Sequence, residues 1–164
     1  IMEKNILYIV GGVVVLVIIV FGGVRFIPGL GGVQQNLNGT QTYSNNDGSV
    51  TVGANASMPS DWPSDVPGNY AGAQIVFSGN SNEGLGSTGA AVSYTVQGVS
   101  AQTIASYYQS GLIEQGWTIE GNVNVSGQTI LGAKKGNRTF GVSIADGGNG
   151  LLTVTMGFNV VGSQ

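Results

Sequence analysis

The sequence contains no cysteine and no histidine. The first absence excludes disulfides, thiol nucleophiles and thiolate metal sites; the second removes the imidazole base and the commonest metal ligand. Charge is also scarce, at 8% of residues, against about 25% in an ordinary soluble chain. Beyond Arg25, Lys134, Lys135 and Arg138 stand against Asp47, Asp61, Asp65, Glu83, Glu114, Glu120 and Asp146. That acidic balance lacks the basic surface on which phosphate recognition depends, so no nucleic-acid partner is expected. Gly, Asn, Ser and Thr replace the missing charges, and a weakly charged surface favours association. No catalytic residue, cofactor site or metal site is predicted, and the chain reads as non-enzymatic.

What is present begins with an apolar run from Ile6 to Val24, ILYIVGGVVVLVIIVFGGV, which carries no charge. As a helix it would rise about 28 Å, close to the roughly 30 Å of a bilayer core. It is longer than the apolar core of a signal peptide, and no small-residue cleavage site follows it. Glu3 and Lys4 mark its N-terminal side, Arg25 its C-terminal side, and Pro28 stops it because proline lacks the N–H a helix needs. Gly11 and Gly12 recur eleven residues later as Gly22 and Gly23. Eleven residues are close to three helical turns, so the pairs share a face, and small residues on one face let another helix approach. The alternative is that glycine is simply common in membrane helices. Ile1 precedes Met2, which reads equally as a non-standard start or as a terminus left by a processing peptidase.

Residues 29–57 show no sustained apolar period and have the Gly, Asn, Gln, Ser and Thr content of a flexible tether. Only Ser49 to Val52 alternates as a short strand would. Pro59, Pro63 and Pro67 follow at intervals of four, and proline biases its neighbourhood toward extended geometry. Trp62 is expected to anchor this loop on the domain after it.

From there the alternation is regular. Ala73–Ser78 and Ala90–Gln97 read as strands. Ser100 then caps a helix whose apolar stripe is Ile104, Tyr108 and Leu112, and Gly116 ends it. Four strands follow, from Trp117, Thr129, Arg138 and Leu152. Strict alternation in the last two implies one buried and one solvated face. The expected fold class is therefore α+β: a long N-terminal hydrophobic helix (1–28), a tether (29–57), and a ββαββββ head (58–164) with one helix across an antiparallel sheet.

Signals for chemistry fade in this frame. Asp61 and Asp65 border Pro-rich turns and read as turn caps. Asp146 lies in a Gly-rich turn without the oxygen ligands calcium requires. Lys134, Lys135 and Arg138 form the one basic cluster after Arg25, at a hairpin tip, and read as a solvated tip. Asn38, Asn55, Asn124 and Asn137 each begin an N-x-S/T sequon and are candidate glycosylation acceptors on an outer surface.

Two resemblances accompany this reading. The segments PSDWPSDVPGNYAGAQIV, SYYQSGLIEQGW and KKGNRTFGVSI resemble a domain of uncharacterised bacterial surface proteins anchored by one N-terminal helix, which implies no activity. A chain opening on Ile, with Glu3 near the start and a long apolar helix after it, resembles type IV pilin-like subunits. In that family the acid is usually the fifth residue, so Glu3 followed by Lys4 departs from the pattern. This resemblance implies a structural subunit of an extracellular filament, inserted in the membrane before assembly and then packed against copies of itself through the helix. The alternative expectation is a single-pass membrane-anchored surface protein that displays a binding domain outside the cytoplasmic membrane.

Overall fold

The computed structural model describes residues 33–45, 48–81 and 87–161. The predicted helix of residues 1–28, with Glu3, Lys4, Gly11, Gly12, Gly22 and Gly23, lies outside the described residues. Among those described, no helix is long and apolar enough to cross a membrane.

The elements in chain order are β1 (Val33–Gln35), β2 (Gln41–Asn45), β3 (Gly48–Val52), β4 (Gln74–Ser81), β5 (Ser87–Gln97), α1 (Ala101–Glu114), β6 (Thr118–Val125), β7 (Gln128–Lys135), β8 (Arg138–Asp146) and β9 (Leu151–Val161). The strands form one nine-stranded sheet in the order β1-β2-β3-β4-β5-β9-β8-β7-β6. Every neighbouring pair is antiparallel. After β5 the chain leaves through α1 to the far edge and returns as a meander. The return closes on β5 in register from Ser87 opposite Val161 to Gln97 opposite Leu151.

This corrects the expected fold class. The domain is mostly β, with nine strands and a single described helix, rather than a six-stranded head on a tether. Strands β1 to β3 lie inside the stretch read as tether and continue the sheet beyond β4. The short alternation at Ser49–Val52 falls in β3, but the signal failed for β1 and β2 for a physical reason. A strand added to an existing edge needs backbone partners first, and these strands satisfy their side chains with one another rather than with a core. The Thr42 and Thr51 hydroxyls are 2.9 Å apart, and Asn80 Oδ1 accepts from both the Ser49 N–H (3.0 Å) and the Ser49 hydroxyl (2.8 Å).

The core lies on one face of β4–β9 beneath α1. Alternation delivers Val92, Tyr94, Val142, Ile144, Val154 and Met156 to that face, where they are buried in one cluster with Ile104, Tyr108 and Leu112 of the helix. Full burial of a Leu or Ile side chain is worth about 1.5–3 kcal/mol. Ser100 caps α1 by accepting from the Thr103 N–H at 3.1 Å. At the other end Trp117 N–H reaches the Leu112 carbonyl (2.9 Å), Gly116 N–H reaches Ile113, and Gly116 sits at φ +78°, the two-bond stop that glycine favours. Gly111 is required by packing: a Cβ there would lie 2.8 Å from the Pro67 ring.

The opposite face carries mostly short side chains, with Phe77 and Ile130 as larger exceptions. Gly79, Ala91, Gly157, Gly141, Gly132 and Gly121 stand in one register across six strands. The neighbouring row runs Phe77, Ser93, Thr155, Ser143 and Ile130. All five are buried, and the Ser93 and Thr155 hydroxyls bond at 2.8 Å. The expectation that this face is simply solvated is therefore too coarse at its centre.

Candidate functional site

The Pro-rich loop between β3 and β4 gathers most of the polar chemistry. Its turns follow from proline placement: the Trp62 N–H bonds the Pro59 carbonyl and the Val66 N–H the Pro63 carbonyl, both at 3.1 Å. Trp62 does anchor the loop, with its ring edge-on to Phe158 at 5.4 Å and its indole N–H donating to the Val66 carbonyl. Val66 enters the core.

Asp65 is the hub. Arg138 meets it with two parallel hydrogen bonds, Nη1 to Oδ1 at 2.8 Å and Nη2 to Oδ2 at 2.6 Å. Lys135 Nζ adds a third at 2.8 Å and also donates to the Gln115 carbonyl at the end of α1. Trp117 donates its indole N–H to the Asp65 carbonyl at 2.8 Å, and the Arg138 guanidinium lies over the Trp117 ring at 5.0 Å. The Arg138 hydrogen bonds hold the Asp65 carboxyl well below the usual carboxylate range, with Lys135 assisting and partial burial opposing. The same contact raises Arg138. Asp65 is thus no turn cap, and Lys135 and Arg138 are not a free basic tip. Neighbouring Lys134 is exposed. Residues 70 and more apart in sequence make this clamp, which no local pattern announces.

A second polar chain crosses the core. The Tyr94 and Tyr108 hydroxyls are 2.8 Å apart, and Tyr108 Oη donates to the Gly68 carbonyl at 3.0 Å, with Met156 Sδ at 3.1 Å. Burial pushes Tyr94 up to about 12 and raises Tyr108 further, the neighbouring tyrosines adding to the second shift. Both phenols are therefore neutral hydrogen-bonding struts at ordinary pH. Burial raises Tyr107 as well, with Tyr70 as the lesser cause.

The sequon asparagines separate into different settings. Asn38 and Asn55 meet although 17 residues apart: each side-chain amide donates to the other's backbone carbonyl, at 3.2 and 2.9 Å. Asn38 Oδ1 also accepts from the Thr40 N–H (3.1 Å) and the Thr40 hydroxyl (2.7 Å). Asn124 donates to the Thr129 hydroxyl at 3.3 Å, and Asn137 occupies the exposed β7–β8 turn. Asp61 accepts from Asn80 at 3.2 Å, and Asp146 caps its turn by accepting from the Gly148 N–H at 2.8 Å. Among the described residues there is no group of three or more carboxylates that could hold a metal ion, and no buried side-chain nitrogen or oxygen lacks a partner.

In this arrangement the acid is held in the ionised form and the two phenols in the neutral form at ordinary pH. Among known proteins, a START domain-like family matches residues 76–150. The match begins in β4 and ends in the β8–β9 turn, under half of the chain, and is a likeness over that span. No curated protein and no solved structure matches the chain.

Proposed function

We propose that this chain is a non-enzymatic surface protein held by a single membrane pass, Ile6–Val24, with its sheet domain displayed outside the cytoplasmic membrane as an interaction module. The observation that carries this reading is the position of β1. Strand β1 begins at Val33, nine residues after the apolar run ends. Strands β1–β3 take up much of the stretch expected as a long tether, which leaves only residues 25–32 between the apolar run and the sheet. The clamp at Asp65 and the tyrosine chain brace the domain and leave no activated nucleophile or base among them. Partners are met through surface contacts, and nucleic acid is not among them.

The test is to fractionate cells making the full chain and wash the membranes at alkaline pH. Anchoring expects the chain to stay in the pellet, with the sheet domain accessible only from the outer side. Release by the wash would overturn it.

A filament subunit, with apolar helices packed in its core, is the second reading. Its support is the shared face of Gly11, Gly12, Gly22 and Gly23. Gly11→Leu with Gly22→Leu is expected to abolish sheared filaments seen by electron microscopy while leaving the sheet domain folded. Absence of filaments from the unaltered protein would remove this reading and leave the anchor standing.

A further inference from the structure

We propose that Asn149, at the tip of the β8–β9 turn, is a site of spontaneous deamidation, and that the fold directs this chemistry there while shielding the same dipeptide at Asn38. The site lies within the described domain and is independent of how the chain is held at a membrane.

The sequence holds two Asn-Gly dipeptides, Asn38-Gly39 and Asn149-Gly150. Glycine has no Cβ, so the backbone nitrogen after each asparagine is open to react. At the β8–β9 turn the Gly150 nitrogen gives its proton to hydroxide and attacks Cγ of Asn149. The new C–N bond closes a five-membered imide. The Cγ–Nδ2 bond breaks, and the nitrogen leaves as ammonia after taking up a proton. Water then opens either carbonyl of the imide, giving aspartate or isoaspartate. One water is consumed and one ammonia released, with no change in oxidation state.

The two dipeptides stand in opposite settings. Asn149 (φ +54°) and Gly150 (φ +73°) are the central pair of a tight turn, the left-handed pair that Asn-Gly favours. Residues 146–150 are exposed. The tip is closed by the Leu151 N–H bond to the Gly148 carbonyl at 3.0 Å, while the Gly150 N–H and the Asn149 side chain have no partner among the described residues. Nucleophile and electrophile are therefore adjacent, free and in water. At the other dipeptide the Gly39 N–H donates to the Asn36 carbonyl at 3.1 Å. Asn38 Oδ1 accepts from the Thr40 N–H and hydroxyl, and Asn38 Nδ2 donates to the Asn55 carbonyl. Attack there requires the nitrogen to be unbonded and the side chain to leave its partners. Asp146-Gly147, which forms the same imide by losing water, is held likewise: the Gly147 N–H bonds the Leu151 carbonyl at 2.8 Å, and Asp146 Oδ1 accepts from the Gly148 N–H. The products differ in consequence. Aspartate tolerates the left-handed backbone and adds a negative charge near Asp146. Isoaspartate adds a methylene to the main chain and lengthens the turn that joins β8 to β9.

The test holds the full chain, in detergent, in mildly alkaline buffer made with heavy-oxygen water, one sample folded and one in urea. Aliquots are digested in ordinary water with chymotrypsin, whose cuts after Leu37, Tyr43, Phe140 and Leu151 separate the two asparagines, and the peptides are read by mass spectrometry. In the folded chain, heavy oxygen is expected to enter residue 149 as aspartate and isoaspartate. Entry at residue 38 is expected to be at least about tenfold slower, because its hydrogen bonds must open first. In urea the two residues are expected to react at similar rates. Equal rates in the folded chain, a faster reaction at 38, or an unmodified Asn149 overturns the proposal. A bias toward 149 that persists in urea assigns the choice to neighbouring residues rather than to the fold, and overturns it as well.

Discussion

In β5, β8 and β9 alternate residues on one face, Ala90 to Val96, Phe140 to Ile144 and Leu152 to Phe158, are apolar and buried in one cluster with the α1 stripe, whereas β1–β3 add no described residue to that cluster and hold together through amides and hydroxyls. Both regions belong to one antiparallel sheet, yet they are stabilised by different physics. Apolar burial is non-directional and contributes in proportion to area. A side-chain hydrogen bond nets only about 0.5–1.5 kcal/mol and depends on geometry. The first region is expected to unfold as a unit and to set global stability. The second is expected to open locally at lower cost. The polar edge stays in place because β4 offers it a complete row of backbone partners.

The sharpest way to separate the regions is to damage the core. Leu112 has no exposed surface, so Leu112→Ala is expected to cost about 2–5 kcal/mol, read as a lower midpoint in denaturant. Tyr108→Phe comes next, because it strands the Gly68 carbonyl and removes the partner of Tyr94; about 1–3 kcal/mol is expected. The tyrosine pair also sets an alkaline limit. Its folded values are raised, so its contribution is complete below about pH 10 and declines above it, as the unfolded chain ionises while the folded one does not. Tyr108→Phe should weaken that alkaline decline in a pH series of melts.

Asp65→Asn is a smaller change, about 1–2 kcal/mol. Its signature is acid sensitivity. The folded carboxyl is depressed, so the contribution is present above about pH 4 and lost as pH falls below it. The variant should melt less steeply with acid than the unaltered protein. Smallest is Asn36→Ala, about 0.5–1.5 kcal/mol, expected to raise hydrogen exchange in β1 and β2 while leaving β7–β9 unchanged. Equal loosening of both regions would refute the division between them.

The sequence carried the first region well and the second poorly, for the same reason. Val92, Tyr94, Val142, Ile144, Val154 and Met156 alternate with smaller or polar residues, and burial imposes that period. The Ser100 cap and the Gly116 stop are likewise written locally. In β2 the sequence QTYSN has β-formers but no apolar period, and in β3 GSVTV alternates only at Val50 and Val52, because no core lies beneath them. Gln41, Thr42 and Ser44 read as linker until their partners are known. The Asp65 clamp was illegible on another ground: its members come from a loop and a hairpin far apart in the chain, and each taken singly resembles a turn residue or a solvated tip. The pairing of Asn38 with Asn55 is hidden in the same way, since a sequon describes three residues and says nothing of the fourth group across the sheet.

The central claim is an anchor joined directly to a folded domain, and proteolysis of right-side-out membranes tests it most directly. The residues from 26 to 133 contain no lysine or arginine, so a protease of broad specificity such as proteinase K is required. The expected result is that cleavage spares residues 33–57 and the sheet domain remains with the membrane. Rapid release of a soluble fragment beginning near Met58 would show a flexible tether in place of β1–β3 and would contradict the account.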